Sequence, residues 1–93
     1  MATIRLPTPL RPYANGQTEV NVAGGNVSEA LESLFASHPD LRPHLLNGEN
    51  QLRPYVNLFL GEDNVNELQG LQTPLRESDR LMLLPSIAGG QGG

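Results

Sequence analysis

Apolar and polar residues alternate along two short segments near the start of the chain. Positions 2–7 carry apolar residues at Ile4 and Leu6, and positions 18–23 repeat the pattern with valines. Alternation with a period of two is typical of a β-strand that buries one face. Prolines and the pair Asn15-Gly16 separate the segments and predict a loop that closes with a tight turn. The sequence therefore predicts an opening β-hairpin.

A single apolar stripe with helical spacing follows the hairpin. Asn26 is placed to cap a helix, and Glu29, three residues on, can complete a capping box. The helix should end before Pro39, because the residue preceding a proline avoids the α region. The residues at i, i+3, i+4, i+7 and i+8 that form its buried face are Val27, Ala30, Leu31, Leu34 and Phe35.

Short elements fill the second half of the chain. A helical turn is predicted at 40–46, with Leu41, Leu45 and Leu46 directed inward. The remaining elements are predicted, in order, as a strand at 55–60, a turn at 61–64, a very short return strand at 65–66, an irregular or 3₁₀ segment at 68–75 and a last strand at 80–84.

This order of elements predicts an α+β fold, with one main helix on one face of a mixed sheet of four to five strands. The last strand is the most apolar and the first is strongly patterned, so we expect the two to lie side by side in the middle of the sheet. Such an arrangement is the β-grasp. We assign residues 1–87 to the domain and residues 88–93, Ala-Gly-Gly-Gln-Gly-Gly, to a flexible tail.

The composition of the chain excludes several classes of function. The net charge of −4 argues against nucleic acid as the main partner, because phosphate contacts need clustered positive charge. The chain has no cysteine, which excludes a disulfide framework and a thiolate nucleophile. We find neither an apolar run that could span a membrane nor a signal peptide, so we expect a cytoplasmic protein.

Candidate catalytic and metal sites are weak. His38 and His44 lie six residues apart around a proline, which fits no helical metal pair, so no metal site is predicted. Glu77 and Asp79 are interpreted as turn formers rather than as an acid–base pair. We therefore expect no catalytic residue and no bound cofactor in this chain.

The end of the chain carries a resemblance. An acidic turn, an apolar strand and the phrase Pro85-Ser86-Ile87-Ala88-Gly89-Gly90 are similar to the ending of the ubiquitin-like sulfur-carrier family. This family includes the small subunit of molybdopterin synthase and the thiazole-synthesis carrier. The opening Ile-Arg-Leu-Pro-Thr-Pro-Leu-Arg-Pro at 4–12 and the stretch at 55–60 resemble most the CysO-type carrier of cysteine biosynthesis.

The resemblance implies a mechanism that works on the C-terminal carboxylate. A partner E1-like adenylating enzyme uses ATP to form an acyl-adenylate, and a sulfur donor then displaces AMP to leave a thiocarboxylate. The sulfur passes to an accepting synthase, which in the CysO branch depends on pyridoxal phosphate (PLP), and a metalloprotease releases the product. The chain would thus be a covalent co-substrate and not an enzyme.

The sequence departs from the family pattern at its terminus. Gln91-Gly92-Gly93 follows Gly89-Gly90, so there are two candidates for the glycine that carries the sulfur. Either Gly93 is the working end, or the tripeptide is removed and Gly90 is. We favour Gly90, because Ala88-Gly89-Gly90 lies at the family's distance from the proline.

The alternation also predicts a partner-docking surface. If the apolar positions of the strands face the helix, then Arg5, Tyr55, Phe59, Met82 and Leu84 share the open face. Neighbouring exposed apolar side chains favour a docking patch. A loop or a second copy of the chain could cover them instead.

Three other functions remain open. The chain could be the small subunit of molybdopterin synthase in complex with the large subunit, a protein modifier joined to lysines, or a plain interaction domain. All six basic residues are arginine. The absence of lysine reflects either compositional bias or protection of an activated terminus from capture by amines.

Overall fold

A computed structural model of the chain describes residues 2–54 and 56–85. Within these ranges one mixed sheet forms from β1 (Ala2–Arg5), β2 (Glu19–Val22), β3 (Val56–Leu60), β4 (Asp63–Asn64) and β5 (Arg80–Pro85). The helices are α1 (Val27–Ser37) and the short α2 (Arg42–Leu45). Four 3₁₀ segments join these elements, at Thr8–Ala14, Pro39–Leu41, Val65–Glu67 and Gly70–Gln72. The predicted α+β class is confirmed.

The strand order places β5 at the centre of the sheet. The order is β2-β1-β5-β3-β4, with β5 parallel to β1 and antiparallel to β3. Ile4 lies opposite Leu81, and Leu58 lies opposite Leu83, so apolar side chains meet across both seams. The prediction that the first and last strands are neighbours in the middle of a β-grasp sheet is confirmed.

The connection between β1 and β2 contains the tight turn predicted at Asn15-Gly16, preceded by a 3₁₀ segment where the sequence predicted a loop. The two strands do pair antiparallel, but the seven-residue 3₁₀ segment Thr8–Ala14 lies between them. Pro12 lies inside this segment, and proline has a fixed φ that suits a 3₁₀ turn. Asn15 and Gly16, with φ of 56° and 79°, are the central residues of a turn in which the N–H of Gln17 donates to the backbone oxygen of Ala14 at 3.0 Å, so the predicted tight turn is confirmed.

Helix α1 begins and ends where the sequence predicts. The side chain of Asn26 accepts a hydrogen bond from the backbone N–H of Glu29 at 2.8 Å. Glu29 in turn accepts from the N–H of Gly25 at 2.7 Å, one residue earlier than in a standard capping box. The five residues of the predicted face are buried, and α1 ends at Ser37, two residues before Pro39.

Two details of the second half correct the sequence prediction. The return strand predicted at 65–66 is wrong: β4 is Asp63–Asn64, and Val65 begins a 3₁₀ turn instead. The side chain of Asn64 caps that turn by accepting the N–H of Asn66 at 2.9 Å. The helical turn predicted at 40–46 is confirmed, and its three leucines are buried. The proposed domain boundary at 87/88 lies outside the described residues.

Candidate functional site

Strand alternation gives the sheet two unlike faces. The side that packs on α1 buries the six apolar side chains predicted for it, Ile4, Leu6, Val56, Leu58, Leu81 and Leu83. We call the opposite side the open face. It is formed by Thr3, Arg5, Glu19, Asn21, Asn57, Phe59, Asn64, Arg80, Met82 and Leu84.

The predicted docking residues that the structure describes meet on the open face. Met82 lies opposite Arg5 on one side and opposite Phe59 on the other, so the three form a row across the centre of the sheet. Met82 and Leu84 are each 42% exposed, and Phe59 is half-buried. Tyr55, the fifth predicted residue, lies outside the described residues. The placement agrees with the alternation, and the docking role stays a prediction.

Two shallow depressions flank this row. The first has a volume of about 330 Å³ and is lined by Thr3, Arg5, Glu19, Gly61, Arg80, Leu81 and Met82. The second has a volume of about 250 Å³ and is lined by Arg5, Leu6, Pro7, Thr8, Arg11, Met82, Leu83 and Leu84. Because Arg5 and Met82 line both depressions, they form the ridge between them. The open face is therefore contoured and mainly apolar at its centre.

Charged side chains surround the first depression. One carboxylate oxygen of Glu19, Oε2, lies 3.5 Å from Nη1 of Arg5 and 3.6 Å from Nη1 of Arg80. In the second depression, Arg11 donates from Nε to the backbone oxygen of Leu6 at 3.1 Å. Sequence reasoning missed Glu19, Arg80 and Arg11. Alternation could have placed Glu19 and Arg80 on this face, but their proximity depends on the strand order.

Side chains that were set aside as catalytic candidates have structural partners. Asp79 accepts the backbone N–H of Arg76 at 2.8 Å, as expected of a turn former. The ring of His44 lies against Tyr13, with centroids 4.2 Å apart. Over residues 2–54 and 56–85, no group of three or more His, Cys, Asp or Glu side chains is placed to hold a metal ion. In the same ranges no helix is both long and apolar enough to cross a membrane.

The predicted sulfur-carrying terminus lies outside the described residues. Ala88, Gly89, Gly90, Gly92 and Gly93 all follow Pro85, the last residue that the structure describes. Pro85 ends β5 opposite Val56 of β3. The central strand therefore leads directly to the segment that carries both diglycine pairs, and the roles of Gly90 and Gly93 stay predictions.

A helix packed on one side of a mixed five-stranded sheet, with parallel first and last strands at its centre, defines a ubiquitin-like β-grasp domain. Residues 4–90 match the ThiS family, which is most of the chain. The chain belongs to the ThiS family of ubiquitin-like proteins.

Individual proteins similar to this chain are also ubiquitin-like carriers or modifiers. The chain is 29% identical over 90 residues to the sulfur carrier protein CysO of Mycobacterium tuberculosis, covering 95% of this chain and 97% of that protein. It superposes with a TM-score of 0.89, at 28% identity, on a chain of the Amycolatopsis orientalis BexX/CysO complex, covering 97% and 100% of the two chains. The small archaeal modifier protein 1 of Methanosarcina acetivorans superposes with a TM-score of 0.83, at 28% identity and 96% and 95% coverage.

Proposed function

We propose that this protein is a sulfur carrier for cysteine biosynthesis. A C-terminal glycine carboxylate attacks the α-phosphate of ATP on an E1-like adenylating enzyme, which releases pyrophosphate and leaves an acyl-adenylate. A sulfide-equivalent donor attacks the acyl carbon, AMP leaves, and a thiocarboxylate remains. The protein is a covalent co-substrate in the cytoplasm, and the chemistry at each step belongs to its partners.

The observation that carries the proposal is the match to the ThiS family over residues 4–90. The likeness to the sulfur carrier protein CysO of M. tuberculosis supports a sulfur-carrier role. In our proposal the sulfur is used to form cysteine on a PLP-dependent synthase, and a metalloprotease releases the product. The likeness to CysO in a complex with BexX supports a carrier that docks on partner proteins. Activation of a main-chain carboxylate also needs no catalytic side chain in the carrier.

We assign the working terminus to Gly90. The family match ends at residue 90, which is the second glycine of the first diglycine pair. The five residues 86–90 span at most about 17 Å beyond β5 when extended, whereas the eight residues 86–93 span about 28 Å. A partner active site that fits the shorter reach would accept the chain only after Gln91-Gly92-Gly93 has been removed. Glycine suits either end, because the absence of a Cβ lets the backbone enter a narrow channel.

Mass spectrometry of the intact protein tests the carrier role. Chains ending at Gly93, Gly90 and Ala88 are each incubated with ATP, sulfide and the adenylating enzyme of the source organism. We expect the chain ending at Gly90 to gain the mass difference between sulfur and oxygen. The chain ending at Ala88 should stay unmodified and is the control. A Gly90 chain that never gains this mass would contradict sulfur transfer, and a Gly93 chain that gains it faster would contradict trimming.

Exposed apolar side chains support a docking role for the open face. We expect Leu84→Asp combined with Phe59→Ala to lower adenylation at least tenfold, because charge replaces apolar area at the centre of the contact. Leu68→Asp is the matched control, since Leu68 is 44% exposed and lies outside the open face. The readout is ATP–pyrophosphate exchange, with circular dichroism to establish folding. A folded double variant with undiminished exchange would rule out docking through this face.

Protein modification is the second candidate, favoured by the likeness to small archaeal modifier protein 1 of M. acetivorans. The first step, adenylation, is the same, but a lysine amine would replace sulfide as the nucleophile. A search of cell proteins for lysine-linked diglycine remnants that depend on this gene separates the two functions. Such remnants, in cells whose cysteine synthesis does not depend on the gene, would favour the modifier.

A further inference from the structure

The net charge of the residues that line the two depressions is opposite in sign to that of the rest of the chain. The two depressions are lined by three arginines, Arg5, Arg11 and Arg80, and by one acidic residue, Glu19. The whole chain has six basic and ten acidic residues, so nine of its ten acidic side chains lie outside these linings. A net-acidic protein thus presents a basic, apolar-centred surface on one side. Such an asymmetry orients the molecule toward a partner of negative potential.

The arginines of the first depression are held only loosely. Glu19 reaches both Arg5 and Arg80 through the same oxygen, at 3.5 and 3.6 Å. Strong charge-assisted hydrogen bonds are shorter, at about 2.7–2.9 Å. The side chains of Arg5 and Arg80 are 51% and 77% exposed, so solvent screens both contacts. An incoming carboxylate can therefore replace Glu19 with little loss.

The pairing with Glu19 also indicates which anion this site accepts. A carboxylate already lies between the two guanidinium groups, and the planar fork of arginine matches carboxylates in a bidentate manner. Met82 lines the same depression, and its flexible side chain adapts to apolar contacts. The site combines two cationic groups with an apolar ridge, which fits a protein surface that carries Asp or Glu around an apolar centre.

We propose that the open face docks an acidic surface of the adenylating partner, and that Glu19 is an internal competitor which the partner's carboxylates displace from Arg5 and Arg80. This inference rests on the proposed function, because it describes the surface through which the carrier reaches its activating enzyme. It also specifies the binding surface that we expect on the partner, which has carboxylates around an apolar pocket that accepts Met82 and Leu84.

Two matched pairs of variants test the proposal. Glu19→Gln removes the competitor, and Glu49→Gln makes the same change of charge in the loop before β3, away from the open face. Arg5→Gln with Arg80→Gln removes the cationic groups, and Arg53→Gln removes a cation from a depression formed with Arg42 and Asn47. The probe is the purified adenylating enzyme of the source organism, with affinity measured by titration calorimetry and activity by ATP–pyrophosphate exchange.

Glu19→Gln should bind the enzyme about two- to fivefold more tightly than Glu49→Gln, the size expected for release of an exposed ion pair. The double arginine variant should bind about tenfold more weakly than Arg53→Gln. The affinity of the unmodified chain should fall with added salt, and the double variant should lose most of this dependence. Exchange by Glu49→Gln and Arg53→Gln should stay close to that of the unmodified chain, because neither residue lines the two depressions of the open face.

The outcomes separate this proposal from the function on which it rests. If the unmodified chain supports exchange but Glu19→Gln binds no better than Glu49→Gln, the competitor role of Glu19 is wrong. If the double arginine variant binds as well as Arg53→Gln, the proposal that the partner presents an acidic surface is wrong. If neither the full chain nor the chain ending at Gly90 supports exchange, the sulfur-carrier function itself fails. Tight binding of a duplex oligonucleotide that requires Arg5 and Arg80 would overturn the protein partner in favour of nucleic acid.

Discussion

Strand β5 presents apolar side chains on both faces of the sheet, buried on one and exposed on the other. Leu81 and Leu83 are buried against α1, whereas Met82 and Leu84 are each 42% exposed on the open face. The four are consecutive and all apolar, so residue type does not distinguish them; only the side of the sheet does. The buried pair holds the domain together, and the exposed pair is available to a partner. Substitutions on the buried face should therefore lower the free energy of unfolding more than substitutions on the open face.

Substitution of adjacent residues tests this difference most directly. Leu81→Ala should lower the free energy of unfolding by about 2–5 kcal/mol, because it removes a fully buried side chain from the core. Met82→Ala, the neighbour on the open face, should lower it by less than about 1 kcal/mol. Urea denaturation followed by circular dichroism measures both. Comparable losses would mean that Met82 is covered in the folded protein, contrary to its exposure.

The close contact between Gly24 and the first turn of α1 provides the next test. Gly24 has φ of 141°, and a Cβ added there would lie 2.7 Å from the Cβ of Glu29 and 2.8 Å from the backbone nitrogen of Ala30. Gly24→Ala should therefore cost about 1–3 kcal/mol of unfolding free energy, since both the backbone and the contact are strained. Partner affinity of the folded fraction should be retained, because the change lies on the helix side.

Gly48→Ala is the matched control for Gly24→Ala. An added Cβ at Gly48 meets nothing within 4 Å, and φ there is not in the left-handed region. We expect its melting temperature to stay within a few degrees of that of the unmodified protein. If Gly24→Ala is as stable as Gly48→Ala, then the turn between β2 and α1 can relax, and the close approach does not limit the sequence.

The cap of α1 should have a smaller effect. Asn26→Ala removes the side-chain acceptor for the N–H of Glu29 and should cost about 1 kcal/mol. Asn26→Asp restores an acceptor and places a negative charge at the helix N-terminus, so it should recover the stability. Thermal unfolding of the three proteins measures the difference. An Asp variant as unstable as the Ala variant would show that the side-chain bond is not the source of the effect.

The elements that the sequence predicted correctly are those in which apolar residues recur with a regular period. The alternation in β1, β2, β3 and β5 and the stripe of α1 each involve several residues with one period, so one misplaced residue changes little. This redundancy placed six side chains on the helix side and four on the open face. The α+β class and the pairing of the first and last strands followed from the same patterns.

The parts that sequence missed depend on single contacts or on strand order. β4 has two residues, too few for any period, and its position is set by Asn64, which caps the following turn. The 3₁₀ segment after β1 contains prolines that mark a loop and shows no apolar period, so the sequence predicted only a loop there. The contact of Glu19 with Arg5 and Arg80 joins residues from three strands, so it becomes visible only when their order is known.

The central position of β5 has a consequence for synthesis of the protein. A nascent chain that ends before Arg80 lacks the partner of both β1 and β3, so the sheet consists of two separate halves. Because β1 must pair with residues that follow it 77 positions later, closure of the sheet waits until β5 has been synthesised. We expect stalled or truncated chains to remain unfolded and to be recognised by proteases. Only chains whose synthesis has passed β5 would thus be folded and able to meet a partner.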